Sequence, residues 1–159
     1  MDDFRQISSR LTRAFHVGEA LVSQTGSKIK ATRTRTRLRG TALVETEQGI
    51  LIVSEDGLRF SLPGGAAEKD ELWIETAIRE LREETGLKAY SAIYLFSHMG
   101  GIRKRSSGYS RNYHKVFLIQ AEGVPKPRQE IQAIQFYQPG DPVKLSNSTR
   151  IILNRYRML

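Results

Sequence analysis

LPGGAAEKDELWIETAIRELREETGL, residues Leu62 to Leu87, is the stretch whose reading decides the fold of this chain. It opens on the turn Pro63-Gly64-Gly65. It then enters a segment whose apolar residues Ile74, Ala77, Ile78 and Leu81 recur at i, i+3, i+4 and i+7, the period of a helix with one buried face. Asp70 stands where an N-cap belongs, and Gly86 where a left-handed residue would end the helix. Glu80, Glu83 and Glu84 fall at i, i+3 and i+4, so the helix puts three carboxylates on one face near its C-terminal end. Unaided, that placement is unfavourable. Like charges at these spacings repel by a few tenths of a kcal/mol per pair, and anions at a helix C-terminus oppose its dipole by roughly 0.3 to 1 kcal/mol each. A divalent cation bound to this face reverses both effects. Arg79, four residues before Glu83 and four after Glu75, is spaced to hold a carboxylate in a fixed orientation.

Each feature also has a plainer reading. Three glutamates can form a solvated acidic face, and a Gly-Gly pair can do no more than reverse the chain. The turn and the complete spacing together favour the sharper one, in which the glycines let backbone approach a metal or phosphate with no side chain in the way. Gly65, five residues, Glu71, seven residues, then Arg79-Glu80-Leu81-Arg82-Glu83-Glu84-Thr85-Gly86-Leu87 resembles the signature of the MutT-like Nudix hydrolases at every defined position. The resemblance implies an α/β/α sandwich with a mixed central sheet, and hydrolysis of a diphosphate bond in a nucleoside diphosphate derivative with Mg²⁺ or Mn²⁺. It implies that the Gly64 carbonyl, Glu80, Glu83 and Glu84 hold metal. Glu80, Glu83 and Arg79 carry the chemistry on this reading, and Gly65, Glu71 and Gly86 shape the motif. One of the glutamates, or a carboxylate outside the motif, would be the base; Glu130, Glu122 and Asp141 are the candidates by position.

Composition bounds the rest. A chain of 159 residues that is 39% apolar suits one domain with a real core, expected over residues 1–159. With no cysteine, disulfides and thiolate metal sites are excluded. No apolar run reaches the length of a membrane span and MDDFRQISSR lacks a signal-peptide core, so a soluble, cytoplasmic protein without a membrane partner is expected. Residues 68–84 hold seven acids and three bases, which leaves 22 bases against 10 acids elsewhere. An acidic pocket in a basic body suits a polyanionic substrate, and the basicity alone would also suit nucleic acid.

Outward from the motif, residues 3–23 carry Phe4, Ile7, Leu11, Phe15, Leu21 and Val22 on a helical stripe. Residues 1–27 are therefore read as an amphipathic helix and linker outside the closely matching region. Lys28 to Arg39 holds six bases, alternating with Thr from Arg33 to Arg37, a strand pattern. It is either an edge strand kept from aggregation by its charges or a cationic stripe for phosphates or an RNA backbone. Strands are expected at Thr41–Glu45, Ile50–Ser54, Ala89–Ser97, Tyr113–Ala121 and Ile131–Tyr137, and a last helix over Asn147–Arg157 with Ser146 as cap and Ile151, Ile152 and Tyr156 inward. This order predicts a mixed α/β layer structure.

The segment Met99 to Asn112 is read as a long loop whose Arg103, Lys104, Arg105 and Arg111 bind substrate. Tyr109 and Tyr113 flank it and could stack on a base. His16, His98 and His114 share no ligand spacing and are given no role. In the ADP-ribose branch of the family a proline follows the signature by about one strand and its loop; here the first proline after Leu87 is Pro125. That departure and the four bases favour nucleoside triphosphates or dinucleoside polyphosphates over ADP-sugars. The alternatives are a pyrophosphohydrolase acting on RNA 5′-triphosphates, and a non-catalytic nucleic-acid-binding module on the same fold.

Overall fold

Alternation along β1, Thr34–Leu43, sets the architecture. Ala42 lies in a core cluster with Ala77 and Leu81 of helix α1, Trp73–Thr85, whereas Leu43 lies in a second cluster with Ile152 and Leu153 of helix α2, Asn147–Arg157. Phe117 and Val116 of strand β8, Gly108–Glu122, divide between the two clusters in the same way. Successive strand residues point to opposite faces, so the two helices cover opposite sides of the strands. The result is the expected three-layer α/β/α arrangement. The computed structural model describes residues 33–159; the helix expected over 3–23 and the first part of the basic stretch lie outside the described residues.

The main sheet runs β5 (Gly64–Ala66), β1, β8, β6 (Lys88–Met99), with β7 (Arg103–Arg105) added to β8. β1 and β8 are parallel and the other pairs antiparallel, so the sheet is mixed. Strands β2 (Glu45–Thr46), β3 (Gly49–Ser54) and β9 (Ala133–Tyr137) form a three-stranded sheet, and β4 (Arg59–Phe60) pairs with β10 (Lys144–Leu145).

Several expectations need correction. β1 joins the basic stretch and the following apolar one into one strand, and it is no plain edge: Arg39–Thr41 pair with β5 on one side and β8 on the other. The loop expected over 99–112 is largely a hairpin, in which β7 pairs with Gly108–Ser110. Asp70 does not cap α1. It sits at φ 62° in the preceding turn, and the first helical turn is tied instead by Glu75, whose carboxylate accepts from the Leu72 N–H at 2.9 Å. Gly86 does end the helix, at φ 77°. The buried face of α1 is rotated from the expected stripe: Thr76, Ala77, Leu81, Glu84 and Thr85 are buried, while Ile74 and Ile78 flank the cluster half-buried. In α2, Ser146 caps as expected, but Leu153 is buried and Ile151 is exposed.

The rotation of α1 depends on Gly40. A Cβ there would lie 2.4 Å from the Trp73 carbonyl oxygen, 2.7 Å from the Ala77 nitrogen and 2.8 Å from the Thr76 Cβ, so helix and strand touch backbone to backbone. No flexible side-chain end can yield. Gly40→Ala should therefore destabilise the chain by about 1 to 3 kcal/mol in denaturant unfolding, while Gly101→Ala, with nothing within 4 Å, should stay within about 0.5 kcal/mol.

Candidate active site

The glycine strand β5 and the acidic face of α1 meet. A Cβ on Gly65 would lie 2.1 Å from Glu80 Oε1, so the Glu80 carboxylate rests on backbone that only glycine leaves open. Next to it the Gly64 N–H donates to Glu84 Oε2 at 3.3 Å, and Glu84 is only 6% exposed. Burial pushes the Glu84 carboxyl up to about 8, with the neighbouring Glu80 charge adding to it and Glu130 contributing. Glu80 is also raised, again by burial first, even though Arg79 opposes the shift. Two acids that resist ionisation side by side are a donor set that a cation would complete.

Arg79 organises the set. Its Nε donates to Glu71 Oε2 at 2.7 Å, its Nη1 to Glu80 Oε1 at 2.9 Å and Glu83 Oε2 at 3.1 Å, and its Nη2 to Glu71 Oε1 at 3.0 Å and the Ala66 carbonyl at 3.2 Å. That uses the donating capacity of the whole guanidinium. The expected pairing with Glu83 is present. The one with Glu75 is not, because Glu75 is engaged at the helix start. Glu71 is held down to about 2, mainly by Arg79 and also by the Thr76 hydroxyl at 2.5 Å. Because Arg79 faces Glu80 and Glu83 while Glu84 faces Gly64, no three acidic or imidazole groups are already gathered as a cation site among the described residues.

Arg39 was not singled out by its place in the basic stretch. Its Nη2 donates to the Gly64 carbonyl at 2.9 Å, and burial, then Arg37, lowers its pKa against the pull of Glu84 and Glu80. A carbonyl oxygen has two lone pairs, so this bond orients Gly64 and leaves one pair free. Beside Arg39 on the sheet, His114 is buried with Nδ1 2.9 Å from the Thr41 hydroxyl, and burial with Arg39 and other cations pushes it down to about 3. The Nε2 atoms of His114 and its strand neighbour His98 have no hydrogen-bond partner among the described residues. Of the three candidate bases outside the motif, Glu130 acts on Glu84, whereas Glu122 lies beside Lys88 at the far end of β8 and Asp141 accepts from the Gln138 N–H.

The four hairpin cations separate. Arg103 and Arg105 line a cleft of about 200 Å³ between the hairpin and the start of α2, together with His98, Asn112 and Ser148. Lys104 alternates to the other face, and Arg111 borders the cleft but its Nε donates to Thr36 Oγ1 at 3.3 Å.

The NUDIX domain model matches residues 35–155. The chain belongs to the Nudix family. Among solved structures it is 39% identical to a protein of Chromobacterium violaceum assigned to the nudix hydrolases, with a TM-score of 0.65 and 77% of each chain covered. The MutT NUDIX hydrolase of Burkholderia pseudomallei shares the fold at 24% identity and TM-score 0.65, covering 76% of this chain and 97% of that one. So does the NUDIX domain of Shewanella oneidensis NrtR, solved with ADP ribose, at 18% identity and TM-score 0.57, covering 85% and 93%. No curated protein matches the chain. As a Nudix hydrolase it is a pyrophosphohydrolase, of a family that uses divalent cations.

The Glu84 carboxyl has a consequence for stability. Below its ordinary value of 4.5 it is neutral in both folded and unfolded chains. From there to about 8 the unfolded chain ionises while the folded chain keeps the proton, so stability falls as pH rises, and the loss is complete above about 8. In EDTA, Glu84→Gln should match the wild-type melting temperature near pH 4.5 and exceed it increasingly up to about pH 8. A gain independent of pH would contradict this origin.

Proposed function

We propose that this Nudix hydrolase cleaves a diphosphate bond in a nucleoside polyphosphate, either a nucleoside or deoxynucleoside triphosphate or a dinucleoside polyphosphate, with Mg²⁺ or Mn²⁺. The observation that carries the reading is a row of cations that starts beside the buried acids and continues to the hairpin cleft. Arg39 sits at the glycine strand, Arg103 and Arg105 line the cleft, and His114 feels both Arg39 and Arg103. A chain of phosphates lying from the Gly64 carbonyl to the hairpin would meet a cation at each end. A substrate with three or more phosphates gains more from this than a sugar diphosphate does.

Glu80, Glu83, Glu84 and the Gly64 carbonyl are the groups that would hold the cation, an all-oxygen set suited to a hard divalent ion. When bound, such an ion stabilises charge on the phosphates and favours hydroxide over water as nucleophile. Arg79 orients Glu80 and Glu83, and Glu71 in turn fixes Arg79. Arg39 aims the Gly64 carbonyl. Glu130 is the carboxylate outside the motif best placed to accept a proton near Glu84. His114, kept neutral, can offer Nε2 as a hydrogen-bonding atom to bound substrate without adding charge.

A second reading, hydrolysis of RNA 5′-triphosphates, is favoured by Arg35 and Arg37. By strand alternation they share the face of Arg39 and extend its row of charge away from the glycine strand.

A phosphate-release screen with Mg²⁺ over nucleoside triphosphates, dinucleoside polyphosphates, ADP-ribose and triphosphorylated RNA separates these readings. Higher kcat/KM for a triphosphate or longer polyphosphate than for ADP-ribose is expected, with the preference reduced in Arg103→Ala/Arg105→Ala. Glu83→Gln and Glu84→Gln should each lower turnover by at least about a hundredfold while the fold persists. ADP-ribose as best substrate would refute the polyphosphate assignment, and near wild-type turnover in either glutamine variant would refute the site.

A further inference from the structure

On the α1 side of the main sheet, the hydrolytic reading uses the glycine strand but not the part of β8 beyond the start of the helix. On the α1 side the helix starts at Trp73, whose carbonyl lies over Gly40. β8 carries Tyr109, Arg111, Tyr113 and Lys115 at alternate positions, hence on one face. Contacts identify that face as the α1 side. Lys115 Nζ lies 4.2 Å from the Trp73 ring centroid, and Tyr113 meets the same ring edge-on at 5.4 Å. Register places Lys104 opposite Tyr109 and Met99 opposite Tyr113. Tyr109 and Met99 are each 37% exposed and Tyr94, on the same face, 51%. Among the described residues this is a strand surface on which rings alternate with cations, exposed at Tyr109, Met99 and Tyr94.

Its charge is one-sided. The five strands of this sheet bear a single acidic side chain, Glu122, at the end of β8 away from Tyr109. Exposed rings at Tyr109 and Tyr94 set between cations offer stacking and phosphate neutralisation at once, the pair of interactions that a single-stranded chain of nucleotides presents and a duplex hides. An acidic protein segment would satisfy the cations but not the rings.

We propose that this face binds single-stranded nucleic acid, with a base stacked on Tyr109 and phosphates held by Lys104, Arg111 and Lys115. It is a binding activity separate from the hydrolytic site and does not rest on that reading. The hairpin that supplies Arg103 and Arg105 to the cleft supplies Lys104 to this face, so strand alternation divides one basic segment between two ligands.

Fluorescence anisotropy of labelled RNA and DNA of about 15 nucleotides, single-stranded and as duplexes, tests the inference on the full chain, with melting curves to confirm that the variants fold. Single strands should bind at least about tenfold more tightly than the duplex. Tyr109→Ala should weaken binding about tenfold and Tyr109→Phe should retain it, because the ring and not the hydroxyl stacks. Lys104 lies opposite Tyr109 and outside the cleft, so Lys104→Gln should reduce the slope of log affinity against log salt by about 0.7. Trp73, the chain's single tryptophan, should change its fluorescence on binding. Equal affinity for duplex, no effect of Tyr109→Ala, competition by a polyglutamate peptide as strong as by the oligonucleotide, or loss of binding in Arg35→Gln/Arg37→Gln but not in Tyr109→Ala would overturn it.

Discussion

Two carboxylates, Glu80 and Glu84, are pressed against the backbone of Gly64 and Gly65, and the rest of the candidate site is arranged around that contact. Burial raises both acids, so the folded chain alone gains little from keeping them there. The contact needs β5 to be nearly without side chains and α1 to lie close to the sheet. Gly40 meets the second requirement by letting the helix backbone at Trp73–Ala77 touch β1. Arg79 then prevents Glu80 and Glu83 from relaxing towards solvent, and Glu71, fully ionised and tied to Thr76, prevents Arg79 from following either one. A network in which each member is satisfied can fix side-chain positions in a way that isolated surface pairs do not.

The same sheet distributes charge by alternation. β1 sends its arginines to the face of α2 and Thr34 and Thr36 to the face of α1, and β7 separates Arg103 and Arg105 from Lys104 in the same way. A basic segment that looks uniform along the chain therefore becomes two surfaces with different neighbours. One faces the imidazoles of His114 and His98 and the cleft beside α2; the other faces tyrosines and Trp73.

How much of this could be read beforehand follows from where the controlling interactions lie. The helix ending at Gly86, the i, i+3, i+4 spacing of Glu80, Glu83 and Glu84 along it, and the Ser146 cap are local, set by spacing within a few residues, and the helix, its end at Gly86 and the Ser146 cap are present as expected. The α/β/α order followed from the family resemblance and the alternation of elements. What was not legible depends on pairing between distant segments. Nothing near Gly40 marks it, among 13 glycines, as the point of contact with α1. Arg39 looked like one more base in an alternating run until β5 brought Gly64 beside it. The loop over 99–112 became a hairpin because β8 begins at Gly108, five residues before the expected start. Asp70 gave way as cap because Glu75 reaches the Leu72 N–H, a competition between two local acids that spacing does not decide.

The α1 carboxylates and Gly64 are proposed to form a divalent-cation site. Titration of the full chain with Mn²⁺, following the electron paramagnetic resonance signal of the free ion, tests it without reference to any substrate. The wild-type chain should remove Mn²⁺ from solution saturably, and Glu80→Gln and Glu84→Gln should each weaken that binding by at least about tenfold without loss of the fold. Mn²⁺ binding in Glu84→Gln as tight as in the wild type would contradict the account.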